Sequence, residues 1–153
     1  MQTHQYWRFI TPVFLHFGIF HLAFNGLWIW ELGRRIETGI GSLHLLGIIL
    51  VSAVASNFGQ YLWAGPSLFG GMSGVLYALL GYLWIRNLIA PNPILSLPKG
   101  IIGFMLAWLV FCMTGLVNLV MSGNIANAAH ASGLLVGMLV GAVFGVSEKA
   151  KRG

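Results

Sequence analysis

The sequence predicts an all-α fold, a polytopic bundle of membrane-spanning helices that forms one domain over residues 1–153. Composition is the first observation: 58% of the 153 residues are hydrophobic and 7% are charged, whereas a soluble domain carries about 25% charged residues. The second observation is that apolar windows of helical length recur along the chain. So few charges cannot cover a folded surface in water, which excludes a soluble globular protein.

Five apolar windows are predicted as spans, since a helix needs roughly 20 apolar residues to cross the hydrocarbon. They lie at about 11–32, 42–63, 73–86, 101–122 and 125–146. The window at 73–86 is short, because at ~1.5 Å per residue it covers only about 21 Å. A Gly- and Pro-containing loop at 65–71 precedes it. We therefore expect this helix to begin part-way into the membrane, after backbone that is enclosed by protein or faces a watery cavity.

The basic residues predict the orientation of the five spans. Seven of the eight Lys and Arg residues fall on one side if the spans alternate, and only Arg8 falls on the other. The positive-inside rule makes that side, with the C-terminus, cytoplasmic. The loops at 64–72 and about 122–126 then face outward. Because the positive charges are dispersed along the chain and form no patch, they indicate how the helices are oriented in a lipid bilayer and do not indicate nucleic-acid binding.

Polar side chains inside the apolar windows mark a candidate site, because an unpaired polar group in hydrocarbon costs several kcal/mol. At 100° per residue, His21 and Asn25 lie about 40° apart on one helical face, and His16 lies about 140° from His21. Ser73 and Tyr77 share a face of the short helix in the same way. His130 lies near the outer end of the last window.

A repeat of small residues predicts which helices pack together. Glycines recur every four residues in the last window, and the short helix offers a similar surface of small residues. Such surfaces let two helix backbones approach closely. We expect these two helices to pack together and to bring Ser73 and His130 to the same depth. The small residues are Gly133, Gly137, Gly141 and Gly145 on the last window and Gly74, Ala78 and Gly81 on the short helix.

The residue types exclude most hydrolytic chemistries. The chain has no Asp, and its three Glu lie at cytoplasmic ends or in the tail, which excludes a pair of carboxylates in the membrane. A Ser–Lys pair is excluded because the lysines lie on the cytoplasmic side. A zinc site is excluded because the histidine spacing of the first window lacks a zinc-binding pattern. A serine activated directly by a histidine remains, which predicts a Ser73–His130 dyad without a carboxylate. The Ser73 backbone N–H, at a helix N-terminus, with His21 and Asn25 could supply oxyanion donors.

Together these residues resemble the rhomboid family of intramembrane serine proteases, most closely its bacterial GlpG-type members. The resemblance runs from Trp7 to about Val146, and its motifs match in order. They are Trp7-Arg8, then His16, His21 and Asn25 as His-x4-His-x3-Asn, then Gly71-Met72-Ser73-Gly74 with Tyr77, and finally Ala129-His130-Ala131-Ser132-Gly133 with Gly137.

The resemblance implies a role for each matched residue. Ser73 would be the nucleophile and His130 the general base and acid, while His21, Asn25 and the Ser73 amide would form the oxyanion hole. The supporting residues would be Tyr77, packed against the His130 ring, Gly71 in the nucleophile motif, and a structural His16. The family uses no cofactor, and no metal site is implied. It cleaves membrane proteins in or near helix-destabilised transmembrane segments. The implied location is a bacterial inner membrane, with the active site open to the periplasmic or extracellular side.

Family members have a six-span core, with one more helix before the Trp-Arg loop, and five spans are predicted here. One alternative to an active protease is a proteolytically inactive rhomboid-like protein that binds membrane clients, or an inactive truncated fragment. Another is a transporter or channel subunit with a histidine proton relay. A relay needs polar residues through the full membrane thickness, whereas the cytoplasmic halves of the windows are nearly all apolar.

Overall fold

The computed structural model describes residues 4–119 and 125–152, and every regular element in these ranges is helical. Two short 3-10 turns come first, and a π-helical turn joins the first two α-helices. The elements in order are the 3-10 turns Tyr6–Phe9 and Thr11–Phe14, α1 (Ile19–Trp28), the π turn Ile29–Gly33, α2 (Arg34–Gly39), α3 (Ser42–Ala64), α4 (Ser73–Ile89), α5 (Lys99–Met113), the 3-10 turn Leu116–Leu119, and α6 (Asn127–Arg152). The predicted all-α fold is confirmed.

Helix α4 is the centre of the bundle. Every residue from Gly74 to Leu83 is buried, and α3 and α6 both pack against this helix. A helix that is apolar all round cannot present a polar face to solvent, so it is stable only when other helices enclose it. The enclosing helices therefore fix the position of Ser73, the first residue of α4.

The α4–α6 interface is built from the predicted small residues. A Cβ added at Gly133 would overlap the backbone carbonyl of Gly74, and one added at Gly137 would overlap that of Ala78. A Cβ at Gly141 would lie 2.6 Å from the Tyr82 carbonyl oxygen. Only glycine permits this approach, so the close packing predicted from the four-residue repeat is confirmed.

The outer face of the bundle is apolar. Opposite the buried glycines, α6 exposes large aliphatic side chains, including Leu135, Leu139 and Val143, and α3 exposes Leu43 and Trp63. Helices α3 and α6 are each long and apolar enough to cross a bilayer, and α4 and α5 are shorter apolar helices. Apolar side chains directed outward around a small-residue interface are the arrangement of a helical membrane bundle.

The helix of the first predicted window, 11–32, begins later than the prediction. Residues Thr11–Phe14 form a 3-10 turn, and α1 begins at Ile19. Pro12 carries no backbone N–H, and Leu15 and Gly18 have extended backbone conformations, so the chain cannot continue as a helix through this stretch. At its other end the helical segment extends beyond residue 32, through the π turn to Gly39.

Two other windows also differ at their ends. Within 101–122, the α-helix stops at Met113, because Gly115 adopts a φ of 76°, a left-handed conformation that ends a helix. The end of this window and most of the outer loop at 122–126 fall on residues 120–124, outside the described residues. The window 125–146 becomes α6, which continues to Arg152. Its last turn carries basic side chains, which stabilise the negative end of the helix dipole.

Candidate active site

Ser73 and His130 lie side by side at the adjoining N-terminal ends of α4 and α6. The Ser73 Oγ lies 2.7 Å from His130 Nε2, a distance at which the hydroxyl can donate its hydrogen to the imidazole. His130 is only 5% exposed. Its Nδ1 is buried and meets no hydrogen-bond partner among the described residues. The pair therefore stands without a carboxylate behind the imidazole in the described part of the chain.

Tyr77 lies one helical turn after Ser73 and faces the same imidazole. Its ring centroid lies 5.0 Å from that of His130, with 41° between the ring planes. The phenol donates a hydrogen bond of 3.0 Å to the backbone carbonyl of Met105 on α5. The buried ring restricts the rotation of His130, and the hydroxyl connects α4 to α5.

Gly71 brings the segment before Ser73 against the first helix. Its φ of 113° lies in the region that only glycine adopts without strain. A Cβ there would lie 2.7 Å from His21 Cε1 and 3.8 Å from Asn25 Nδ2. Asn25 is 2% exposed and its Nδ2 is buried without an acceptor in the described residues. The site therefore contains an uncommitted N–H donor beside the turn that leads into Ser73.

His16 lies outside the helix that carries His21 and Asn25. The helical angle predicted between His16 and His21 therefore does not exist, because residues 15–18 are not helical and α1 begins at Ile19. The His16 ring instead lies 5.0 Å from that of His21, edge to face. Its Nδ1 donates to the Phe14 carbonyl at 3.2 Å. The contact with the His21 ring is consistent with a supporting position.

Three hydrogen bonds that were not predicted from the sequence hold the elements of the site together. The Gly71 N–H donates to the Pro12 carbonyl at 3.0 Å. Asn57 Nδ2 donates to the Phe9 carbonyl at 2.8 Å, and Gln60 Oε1 accepts the Ala129 N–H at 3.1 Å. Polar residues inside the apolar window 42–63 were the available signal for Asn57 and Gln60, whereas the carbonyl of Pro12 gives no signal in a sequence.

The pair opens into a cavity of about 530 Å³. His21, Asn25, Ser73 and His130 are among the residues that line it. Aromatic rings from α1 and α5 also line it, namely Phe24, Trp28, Phe104 and Trp108. A mostly apolar chamber with a few convergent polar groups is the usual form of a binding site. Within the described residues, no group of three or more His, Cys, Asp or Glu side chains is placed to hold a metal ion.

Comparison with known proteins places the chain in a family. The family model of the Rhomboid domain matches residues 3–147. Over 136 residues, which are 89% of its length, the chain is 44% identical to the "Rhomboid protease GlpG" of Yersinia pestis (strain Pestoides F) and to that of Yersinia pseudotuberculosis serotype O:3 (strain YPIII). Identity to the Yersinia enterocolitica protein of the same name is 43% over the same length.

The chain spans about half the length of these relatives, since the aligned part is 47% of each. The match nevertheless covers nearly the whole of the present chain and includes every residue of the site described above. With an all-helical fold, an apolar outer face and this match, the chain belongs to the rhomboid family.

Proposed function

We propose that this protein is an intramembrane serine endopeptidase that cleaves peptide bonds in or near transmembrane segments of other membrane proteins. The observation that carries the proposal is the 2.7 Å contact between Ser73 Oγ and His130 Nε2, two residues that line a mostly apolar cavity. A nucleophile within hydrogen-bond reach of a base is the geometric requirement for nucleophilic catalysis. The relatives named as rhomboid proteases support the same reaction.

In the proposed reaction, Ser73 Oγ attacks the carbonyl carbon of the scissile peptide bond while His130 Nε2 takes the hydroxyl proton. The same nitrogen then gives this proton to the leaving amine, and an ester between Ser73 and the substrate remains. Water, deprotonated by His130, hydrolyses this ester and restores the serine. No metal ion or organic cofactor takes part in these steps.

The developing oxyanion needs donors that are already in place. The Ser73 amide lies at the N-terminus of α4, where backbone N–H groups have no partner within the helix. The Asn25 Nδ2 is buried and uncommitted, and His21 lies beside it against Gly71. We propose that these three groups form the oxyanion hole, with Tyr77, Gly71 and His16 in supporting positions.

The cavity also suggests the class of substrate. An intact transmembrane helix hides its carbonyl carbons behind side chains and hydrogen bonds, so a segment must unwind before Ser73 can reach one. Gly, Pro or polar residues lower the cost of that unwinding, which favours membrane proteins with helix-destabilised segments. We further propose a bacterial inner-membrane location, with the cavity open to the periplasmic or extracellular side and the C-terminus in the cytoplasm.

The test uses the purified chain in detergent or in lipid vesicles. We expect it to react covalently with a fluorophosphonate at Ser73 and to cut a reporter transmembrane segment. Ser73→Ala and His130→Ala should each abolish both activities without changing the melting temperature greatly. A Ser73→Ala variant that still cuts the reporter would contradict the proposal. Binding of the reporter without labelling or cleavage by the unaltered chain would favour the inactive client-binding alternative.

A further inference from the structure

The glycine interface brings α4 and α6 close together but specifies their register weakly. Along α6 the glycines recur every four residues, and the α4 residues that they meet also advance by four. The pairs are Gly133 with Gly74, Gly137 with Ala78, Gly141 with Tyr82, and Gly145 with Arg86 and Ile89. A slip of one repeat, about 6 Å at 1.5 Å per residue, would bring glycines back to α4 at three of the four contacts. Another interaction must therefore disfavour the slipped alignment.

An ion pair between a buried arginine and a partly exposed glutamate lies at the opposite end of these two helices from the Ser73–His130 pair. Arg86 of α4 is 2% exposed, and its guanidinium contacts the Glu148 carboxylate of α6. Another guanidinium nitrogen of Arg86 donates to the Ala90 carbonyl at 3.2 Å. Glu148 also contacts Arg152, which donates to the Pro91 carbonyl at 3.2 Å. The carboxylate thus ties α6 both to α4 and to the loop that follows α4.

The burial of Arg86 makes this pair selective for one register. A one-repeat slip would separate the buried guanidinium from its carboxylate, and an uncompensated buried charge is far more costly than the loss of a neutral contact. Buried polar pairs are well attested as devices that select a register among similar apolar packings. The hydrogen bond between Ser73 and His130 is neutral, so by itself it would oppose a slip much less strongly.

We propose that Arg86 and Glu148 are positioning residues that set the register of α6 on α4 and thereby the Ser73–His130 distance. The influence passes along α4 from Arg86 to Ser73, about 20 Å at 1.5 Å per residue. The proposal rests on the proposed peptidase function for its consequence in activity. It concerns a contact outside the cavity, since neither Arg86 nor Glu148 lines it.

The test compares Glu148→Gln and Arg86→Gln with the unaltered chain at a temperature where each is fully folded. Fluorophosphonate labelling of Ser73 is one measurement, and the 15N resonance of His130 Nε2, identified by its loss in His130→Ala, is the other. We expect Glu148→Gln to lower the labelling rate about tenfold or more, since small misplacements of reacting groups cost up to about 10²-fold, and to move the resonance. The charge swap Arg86→Glu/Glu148→Arg should recover part of both.

Glu31→Gln is the matched control. It removes the carboxylate of the Arg35–Glu31 pair, whose two residues lie four apart in one helical segment and cannot set a register between helices. This variant should keep the wild-type labelling rate and His130 resonance.

Because Glu148 is partly exposed, its Gln variant should fold even where Arg86→Gln does not.

Failure of this proposal is distinguishable from failure of the proposed function. A folded Glu148→Gln protein with wild-type labelling and an unmoved His130 resonance would overturn the register proposal and leave the peptidase intact. If the unaltered chain is neither labelled nor active, the peptidase proposal fails, and the His130 resonance alone then tests the register proposal. A resonance moved by Glu148→Gln but not by Glu31→Gln would then support the register proposal, and an unmoved one would overturn it.

Discussion

Gln60 of α3 accepts a hydrogen bond of 3.1 Å from the backbone N–H of Ala129, the residue before His130. Helix α6 begins at Asn127, so this N–H belongs to the first turn and has no acceptor within its own helix. Both residues are buried. The Gln60 side chain therefore supplies an acceptor to the first turn of α6, the helix that carries the candidate base His130. It also holds that turn against α3.

Gln60→Met should lower the free energy of unfolding by about 1–3 kcal/mol, because it leaves a buried N–H without an acceptor. It should also slow fluorophosphonate labelling, since the first turn of α6 loses its anchor. Ser132→Ala is the control, because among the described residues the Ser132 hydroxyl donates to the Ala128 and Ala129 carbonyls of its own helix. Denaturant unfolding and labelling measure the two effects, and equal behaviour of both variants would contradict the anchoring role.

Gly133→Ala should be among the most damaging single methyl additions in the chain. The new Cβ would overlap the Gly74 carbonyl, so the two helices must separate near Ser73. We expect a loss of about 1–3 kcal/mol or more in unfolding free energy and a large loss of labelling. Gly103→Ala adds the same methyl to α5 where no atom lies within 4 Å, and it should be neutral or stabilising. Thermal unfolding of the two variants checks the difference.

Gly71→Ala combines backbone strain with a steric clash. A positive φ costs a residue with a Cβ about 1–2 kcal/mol, and at Gly71 that Cβ would also press on the His21 ring. Gly65→Ala has the same kind of backbone strain, at a φ of 68°, but its Cβ would meet no atom within 4 Å. It should therefore lose stability but keep the wild-type labelling rate. Gly71→Ala should lose both. Loss of labelling in Gly65→Ala as well would attribute the effect to the loop backbone and not to His21.

Tyr77 should tolerate loss of its hydroxyl better than loss of its ring. Tyr77→Phe removes one hydrogen bond, to Met105, and should cost about 1 kcal/mol while labelling stays near the wild-type rate. Tyr77→Ala removes the ring packed on His130 and should cost about 3 kcal/mol or more, with a marked loss of labelling. Parallel stability and labelling measurements separate the two. Slow labelling of a stable Tyr77→Phe protein would assign the hydroxyl a direct part in the reaction.

Much of this fold can be read from local patterns. Low charge and recurrent apolar windows predict membrane helices, since the hydrocarbon admits few other structures. The four-residue spacing from Gly133 to Gly145 predicts a close helix contact, because a helix with this repeat carries a continuous groove on one face. The motifs around His21, Ser73 and His130 identify the family, which the comparison confirms. Their catalytic roles stay predictions.

Other relationships depend on the path of the chain between helices. The 3-10 turn at Thr11–Phe14 takes His16 out of the helix and places the Pro12 carbonyl on the Gly71 N–H. A backbone carbonyl is the same in every residue type, so no sequence pattern marks that contact.

What the sequence alone determined is the set of helices, the face on which two of them meet, and the residue types available for chemistry. The tertiary structure decided which of several equivalent alignments those two helices adopt, because a four-residue repeat matches itself after each slip. The contact of Arg86 with Glu148 joins residues far apart in the chain, and it favours one alignment of α4 and α6. The contact of Gln60 with Ala129 holds α6 against α3. In that alignment, the Ser73 hydroxyl reaches His130.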